Sequence, residues 1–290
     1  MTTPARRGYV VPLPERQELR LGERPLVMGI LNVTPDSFAE PSPTLDVAVA
    51  IERALRMQEG GADIIDVGGE STRPGTESIG VREELARVLP VITGLSTKVR
   101  IPISVDTYSA DVAQAAIGEG ASIVNDISGL RYDPALAAVV ARSGAALVLM
   151  HMRGRPKDMY AEAVYTDVVA EVAAELRTSI EAATAAGVPL ERLIVDPGLG
   201  FAKRPDDSYG VLAKLSALAG ALDRPLLVGP SRKSFMRVAL GGLPAPERDW
   251  GTAAAVTAAV LAGAHIVRVH AVAEMAQVVR VAEEIRRHAE

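Results

Sequence analysis

Cysteine is missing from this chain of 290 residues. Without thiols there are no disulfides and no thiolate metal sites, which excludes a small secreted domain held together by disulfides. Aromatic residues are also scarce, at 3% of the sequence, whereas hydrophobic residues as a whole reach 48%. We therefore expect a large core built mainly from Ala, Val and Leu, and the length suits one large domain.

Long runs of charge are absent as well. The 31 basic and 36 acidic residues give a formal net charge of −5, so the chain lacks the basic surface of a nucleic-acid-binding protein. No apolar run is long enough to span a bilayer, and residues 1–25 lack the apolar core of a signal peptide. We expect a cytoplasmic protein with no nucleic-acid or membrane partner, in which locally placed cations bind any anionic ligand.

Two common motifs do not occur. The phosphate loop Gly-x-x-x-x-Gly-Lys-Ser/Thr is absent, which argues against a nucleoside triphosphatase. There is no His-x-x-x-His pair, and the carboxylates lie far apart in the sequence, so no metal cage is indicated. A hard ion such as Mg²⁺, held by few protein oxygens and mainly by a phosphorylated substrate, remains compatible.

The most informative stretch runs from Asp66 to Gly75. Its apolar start, the end of the run 64–67, is followed at once by two glycines, a carboxylate, two hydroxyls, an arginine and a proline. This pattern is typical of a buried parallel strand that ends in a polar loop. Such loops carry the chemistry of many α/β enzymes.

The same pattern recurs eight times. The predicted strands are 26–31, 63–67, 101–105, 121–125, 145–150, 192–196, 225–229 and 265–269. The predicted helices are 44–59, 82–96, 109–118, 134–143, 162–186, 207–221, 249–262 and 272–288. Eight alternating units predict an α/β fold, a TIM (β/α)8 barrel forming a single domain over residues 26–290. Residues 1–25 form an N-terminal extension in which we expect a short hairpin. An open doubly wound sheet is the alternative.

In a barrel, the carboxyl ends of all strands face one cavity. The residues at these ends are Asn32, Glu70 to Pro74, Asp106-Thr107, Asn125-Asp126, His151, Asp196, Ser231-Arg232-Lys233, and Arg268 with His270. Taken singly, the aspartates fit helix caps or turns, the histidines fit hydrogen-bonded core positions, and the basic turn fits a solvated loop. Arg268 and His270 are two residues apart on one strand, so they share a face that suits an anion.

Several strings along the chain are recognisable as a set. They are Asn32-Val-Thr-Pro-Asp-Ser-Phe38, Asp66-Val-Gly-Gly-Glu-Ser-Thr-Arg-Pro-Gly75, Ser104-Val-Asp-Thr-Tyr108, Asn125-Asp-Ile-Ser-Gly129, Leu149-Met-His-Met-Arg-Gly154, Asp196-Pro-Gly-Leu-Gly-Phe201, Ser231-Arg-Lys-Ser-Phe235 and Arg268-Val-His270. In this order, between about Leu26 and Ile285, the chain resembles dihydropteroate synthases.

The resemblance implies a folate-pathway transferase. It would condense 6-hydroxymethyl-7,8-dihydropterin diphosphate with p-aminobenzoate, giving 7,8-dihydropteroate and diphosphate. Asp196 would accept hydrogen bonds from the amino-pyrimidine edge of the pterin. Asn125 and Asp106 would bind other edges, and Lys233 would lie over the carbonyl side of the ring.

The resemblance also implies how the diphosphate departs. Arg268, His270 and Asn32, with a Mg²⁺ ion, would hold it and stabilise the charge that develops as the carbon–oxygen bond breaks. Asn32 is the implied protein ligand of the metal. Together with Lys233, these residues form the predicted catalytic set.

A further set of residues is implied to bind p-aminobenzoate. These are Thr72, Arg73, Pro74, Phe201, Ser231 and Arg232. The loops 33–43 and 72–80 would close over the site and exclude water. A homodimer is usual in the family, and the Ala/Val-rich stretch 252–262 fits either a dimer surface or packing within the barrel.

Three positions depart from the family pattern. Residues 39–43 replace a more usual Ser-Asp-Gly-Gly, Pro230 stands where Thr is common, and Ala271 stands where Asp is common. The loop change and Ala271 motivate one alternative, a non-catalytic pterin-binding paralogue. A methyltetrahydrofolate-dependent corrinoid methyltransferase is a second, although it would have no diphosphate or p-aminobenzoate to bind.

Overall fold

The computed structural model describes residues 6–34, 43–71 and 75–289. Residues 35–42, which make up most of the first predicted closing loop, lie outside these ranges, and so do Thr72, Arg73 and Pro74. What the sequence predicts for them stays a prediction. No helix in the described ranges is both long and apolar enough to cross a bilayer.

In the described part of the chain, a two-stranded hairpin precedes a sheet of eight parallel strands. The strands are β1 Tyr9–Pro12, β2 Glu18–Leu21, β3 Leu26–Asn32, β4 Ile64–Gly68, β5 Ile103–Asp106, β6 Ile123–Asp126, β7 Ala146–Met150, β8 Leu193–Asp196, β9 Leu227–Val228 and β10 Ile266–Val269. Strands β3 to β8 pair in chain order, and β10 pairs with both β3 and β9. A parallel bridge from Val195 to Leu226 closes the sheet. The predicted TIM barrel is confirmed, and the open sheet is excluded.

The helices cover the outside of this barrel. They are α1 Pro43–Glu59, α2 Val81–Ser96, α3 Ala110–Gly118, α4 Ala135–Ser143, α5 Val168–Ala185, α6 Pro205–Ala213, α7 Leu215–Leu222, α8 Asp249–Leu261 and α9 Val272–Arg287. Because helices cover one face and the barrel interior the other, the strands are buried on both faces. Every residue of β4 and of β7 is buried.

Three predicted elements differ from the structure. The helix predicted at 162–186 begins only at Val168, because the Asp167 carboxylate accepts hydrogen bonds from the amides of Val169 and Ala170 and so caps it there. The helix predicted at 207–221 is divided into α6 and α7 at Lys214, whose backbone is not helical. The strand predicted at 225–229 is reduced to two residues between Pro225 and Pro230, which have no amide hydrogen to donate to a ladder.

The amino-terminal end of the barrel is filled by one apolar cluster. It joins interior residues of the strands, among them Met28, Ile64 and Ile194, to Val11 and Leu21 of the hairpin. The hairpin therefore seals this end, and the open end lies at the carboxyl ends of the strands.

The start of the chain is also bound to its end. The Arg6 guanidinium donates to the Glu283 carboxylate of α9 at 2.8 Å and to the carbonyl of Val260 at 3.2 Å. His265, just before β10, accepts from the amide of Leu226 through Nδ1 and donates to the carbonyl of Arg7 through Nε2. These contacts hold the extension against the last units of the barrel.

The loop after β8 requires a glycine at position 198. Gly198 has a φ of +65°, and a Cβ placed there would lie 2.1 Å from the carbonyl oxygen of His151. Its amide donates to the Asp196 carboxylate at 2.7 Å. The loop can therefore follow the end of β7 closely only because no side chain intervenes.

We expect Gly198→Ala to destabilise the protein by about 3 kcal/mol, because it combines overlap with backbone atoms and a left-handed conformation. Gly220→Ala is the matched control, since it lies in α7 with no atom within 4 Å of the added Cβ. That change should stabilise by about 0.5–1 kcal/mol. Urea unfolding of both variants tests the pair, and similar values for the two would contradict this account of the loop.

Candidate active site

Arg268 connects two carboxylates inside the open end of the barrel. Its Nε donates to Oδ2 of Asp66 and its Nη2 to Oδ2 of Asp106, each at 2.6 Å. Asp66 also accepts from Nδ2 of Asn125 at 3.0 Å. Burial raises the pKa of Asp106 although Arg268 opposes it. Burial lowers the pKa of Arg268, but the two carboxylates outweigh burial and the net shift is upward.

Lys233 lies beside this cluster. Its Nζ is 3.7 Å from the centre of the Phe201 ring, a cation–π contact. Burial, followed by the charge of Arg268, lowers the pKa of Lys233 to about 7 against the effects of Asp196 and Asp106. Burial raises the pKa of Asp196 to about 6, against the effects of the Gly198 amide and of Lys233. The site therefore holds a lysine and a carboxylate that change charge near neutral pH.

The turn after β9 carries Ser231 and Arg232. Oγ of Ser231 lies 2.9 Å from Nδ1 of His270, and it accepts a hydrogen bond from the backbone amide of His270 at 3.1 Å. Burial, followed by the charges of Arg232 and Arg268, lowers the pKa of His270 to about 3, so the imidazole is neutral at pH 7. Arg232 has a φ of +58°, and its guanidinium donates two hydrogen bonds of 2.7 Å to the Asp249 carboxylate.

One cavity of about 520 Å³ joins these residues. The predicted site residues that line it are Asn32, Asp106, Phe201, Ser231, Arg232, Lys233, Arg268 and His270. Asn125 and Asp196 are almost fully buried. Asn125 is joined to the lining through Asp66, and an Asp196 oxygen lies 3.8 Å from a Cβ built on the lining residue Gly229. The roles predicted for all these residues stay predictions.

His151 does not line this cavity. Its Nδ1 lies 2.8 Å from Nζ of the buried Lys203, and its Nε2 lies 3.2 Å from the Glu175 carboxylate. Lys203 donates as well to the carbonyls of Gly198 and Phe201. Through Lys203, the residue after β7 therefore supports the loop after β8. The prediction that His151 faces the shared cavity is wrong.

The sequence predicts no role for Asp66 beyond its place in a strand, because it lies within an apolar run. The carboxylate of Asp66 could have indicated its importance, because an ionised side chain in a strand that is buried on both faces requires a partner.

Glu70 also lines the cavity, and its carboxylate accepts a hydrogen bond from the hydroxyl of Tyr108 at 3.0 Å.

Comparison with known proteins places this arrangement in a family. The family model for pterin binding enzymes matches residues 28–270, which span the barrel strands.

The chain belongs to the pterin-binding enzyme family.

Two relatives in this family are dihydropteroate synthases with long matches. That of Synechocystis is 45% identical over 277 residues, covering 95% of this chain and 96% of the relative. That of Bacillus subtilis is 44% identical over 258 residues, covering 89% of this chain and 87% of the relative.

Solved structures of the pterin-binding family share the fold. The dihydropteroate synthase of Xanthomonas albilineans with 4-aminobenzoic acid has a TM-score of 0.87 at 40% identity, covering 95% of this chain and 98% of that one. The enzyme of Burkholderia cenocepacia complexed with 7,8-dihydropteroate has a TM-score of 0.86 at 41% identity, covering 97% and 98%.

Proposed function

We propose that this chain is a dihydropteroate synthase, which condenses 6-hydroxymethyl-7,8-dihydropterin diphosphate with p-aminobenzoate to give 7,8-dihydropteroate and diphosphate. The observation that carries the proposal is a single cavity in which carboxylates lie next to cations. Carboxylates suit the N–H groups of a pterin, and the cations suit a diphosphate. The relatives named above support the same reaction.

In this proposal the pterin binds deep in the barrel. Asp196 accepts from the two adjacent N–H donors of the amino-pyrimidine edge. Asn125 offers both a donor and an acceptor, and Asp106 accepts from a further edge. Lys233, held over Phe201, donates to the carbonyl side of the ring. The apolar layer below these residues excludes water and strengthens each of the contacts.

The diphosphate binds nearer the opening. Negative charge grows on the oxygen that joins the diphosphate to the pterin methylene carbon as that carbon–oxygen bond breaks, and Arg268 and Lys233 would stabilise that charge. His270 is neutral, so it contributes an N–H donor and no charge. Asn32, at the end of β3, lines the same cavity.

Mg²⁺ is part of the proposal. The described residues contain no cluster of three metal-binding side chains, which fits a hard ion held mainly by phosphate oxygens and water. The Asn32 amide would supply the protein oxygen. When bound, the ion would neutralise charge on the diphosphate.

p-Aminobenzoate completes the reaction. Its amine is itself the nucleophile, so no side chain needs to attack. Phe201 would pack on its ring. The guanidinium N–H groups of Arg232 that Asp249 does not occupy would donate to its carboxylate, and the Ser231 hydroxyl would join them by turning away from Nδ1 of His270. Thr72, Arg73 and Pro74 remain assigned to this pocket.

We expect diphosphate release and dihydropteroate formation to require dihydropterin diphosphate, p-aminobenzoate and Mg²⁺ together. Omitting each component in turn from a reaction with purified protein measures this. Pterin binding without turnover dependent on p-aminobenzoate would contradict the proposal and favour a non-catalytic pterin-binding protein.

Pterin affinity should fall at low pH. Asp196 must be ionised to accept two N–H groups, and its pKa is raised to about 6. Affinity should therefore decrease as pH falls through about 6, by about tenfold per pH unit once the carboxyl is mostly protonated. Calorimetric titration of 6-hydroxymethylpterin between about pH 5 and pH 8 measures the effect.

Two variants control that titration. Asp196→Asn should bind weakly at every pH and lose the part of the dependence that is centred near pH 6. Asp223→Asn, at the opposite end of the barrel beside Arg7, should keep it. A wild-type affinity that does not change between about pH 5 and pH 7 would contradict the role of Asp196.

We also propose a homodimer and a cytoplasmic location. One side of α8, including Val256 and Val260, is buried against the barrel. Its opposite side exposes Trp250, Ala254 and Ala258 at intervals of four residues, and Trp250 is 88% exposed. A large exposed tryptophan beside small residues suits a protein contact.

Trp250→Glu should shift the protein from dimer to monomer, because a charge in the contact costs more than the lost apolar area. Val164→Glu is the control, since Val164 is also apolar and 69% exposed but lies in the loop after β7. Analytical ultracentrifugation measures both. A dimer that persists in Trp250→Glu would contradict this surface.

A further inference from the structure

Asp66 lies in the middle of β4 and is completely buried. Its Oδ2 accepts from Asn125 at 3.0 Å and from Arg268 at 2.6 Å. We propose that Asp66 is the positioning residue of the pterin site. It fixes the amide orientation of Asn125, and it accepts both hydrogen bonds of Arg268 when Asp106 binds the pterin instead. The inference rests on the proposed function, since it concerns how the same site receives its substrate.

The first part follows from hydrogen-bond chemistry. An ionised carboxylate only accepts hydrogen bonds, so the NH₂ group of Asn125 must face Asp66. The amide oxygen of Asn125 and its second N–H are then available to a ligand in a fixed order. An amide at position 66 could both donate and accept, and Asn125 could then adopt either orientation. Asp66 therefore determines which edge of a pterin matches Asn125.

The second part follows from how Arg268 is shared. Its two donors bind different carboxylates, Nε to Asp66 and Nη2 to Asp106. Asp106 lines the cavity and its side chain is 10% exposed, whereas the Asp66 side chain is 0% exposed. A ligand with N–H groups reaches Asp106 and competes there with Arg268, but it cannot reach Asp66. Substrate binding therefore removes one of the two partners of Arg268.

A second acceptor is already in place for the released donor. Oδ1 of Asp66 is buried and has no hydrogen-bond partner among residues 6–34, 43–71 and 75–289. A guanidinium and a carboxylate form two parallel hydrogen bonds when both oxygens are available. If Nη2 moves from Asp106 to Oδ1, Arg268 keeps two hydrogen bonds to a carboxylate. The buried cation is never left uncompensated, which would otherwise oppose binding.

The backbone holds Asp66 in position for this exchange. Its Cα pairs with Ile30 on β3 and with Ser104 on β5, in the layer above the apolar interior. Ser104 points to the same side of the sheet as Asp66 because paired residues share a face. Its hydroxyl is likewise buried without a hydrogen-bond partner in the described chain, so Ser104 offers a matched control in the same layer.

The first experiment measures binding of 6-hydroxymethylpterin, which lacks the diphosphate, by calorimetric titration. We expect Asp66→Asn to weaken binding ~10- to 100-fold, since it loses hydrogen bonds involving a charged group and leaves Asp106 as the only carboxylate for Arg268. Ser104→Ala should change affinity less than about threefold. Circular dichroism melting verifies that both variants fold.

The second experiment needs no variant. In a crystal structure of the wild-type protein with 6-hydroxymethylpterin, we expect both Arg268 donors on the two oxygens of Asp66, and Nη2 beyond about 3.5 Å from Asp106. An Arg268 that still bridges both carboxylates would overturn the exchange, and so would a loss of affinity in Ser104→Ala as large as that in Asp66→Asn. Unchanged affinity in folded Asp66→Asn would overturn the orienting role.

These outcomes separate the inference from the proposed function. A wild-type protein that binds pterin but forms no dihydropteroate would reject the proposed reaction and leave the role of Asp66 supported or rejected by the binding data alone. Absence of pterin binding by the wild-type protein would overturn both.

Discussion

The contacts of Arg268 with Asp66 and Asp106 are the interaction on which the site depends. Two carboxylates buried so close together repel each other and lose their hydration, and the guanidinium between them compensates for both effects. The three residues come from β4, β5 and β10. Only a closed barrel places β10 beside β3. In that position Arg268 reaches the two carboxylates. Barrel closure and site formation are therefore one event.

The surrounding groups are arranged so that each cation already has a partner within the protein. Lys233 lies over Phe201, near Asp196 and Asp106, and Arg232 is held by Asp249. Ser231 joins the turn after β9 to His270 on the neighbouring strand. A substrate carrying both N–H donors and phosphate can therefore replace existing contacts with equivalent ones. This limits the cost of desolvating the site in either state.

The fold could be predicted from the sequence because each unit repeats a strong local signal, a short apolar run followed by polar residues and a helical stretch. Elements without that signal were predicted less well. Strand β9 lies between two prolines, and its pairing is set by its neighbours. The division of α6 from α7 at Lys214 follows from packing, because the sequence there contains no glycine or proline.

The site residues that could be predicted from the sequence are those that follow the carboxyl end of a strand. Position at a strand end predicted that Lys233, Arg268 and His270 would line one cavity, but it gave no direction for the His151 side chain, which contacts Lys203 and Glu175 instead. Asp66 was overlooked because a residue inside a strand has no positional signal, and its importance depends on partners 59 and 202 residues away. Such contacts exist only in the closed barrel.

The pairing of the two chain ends has a consequence for biosynthesis. Arg6 and its partner Glu283 lie 277 positions apart along the chain. The hairpin that seals the barrel floor must therefore wait, with its apolar face uncovered, until the last units of the barrel have been synthesised. Loop-closure entropy of this size delays the final step of folding. A nascent chain of this architecture has a prolonged interval in which chaperone binding to its first 25 residues would protect it from aggregation.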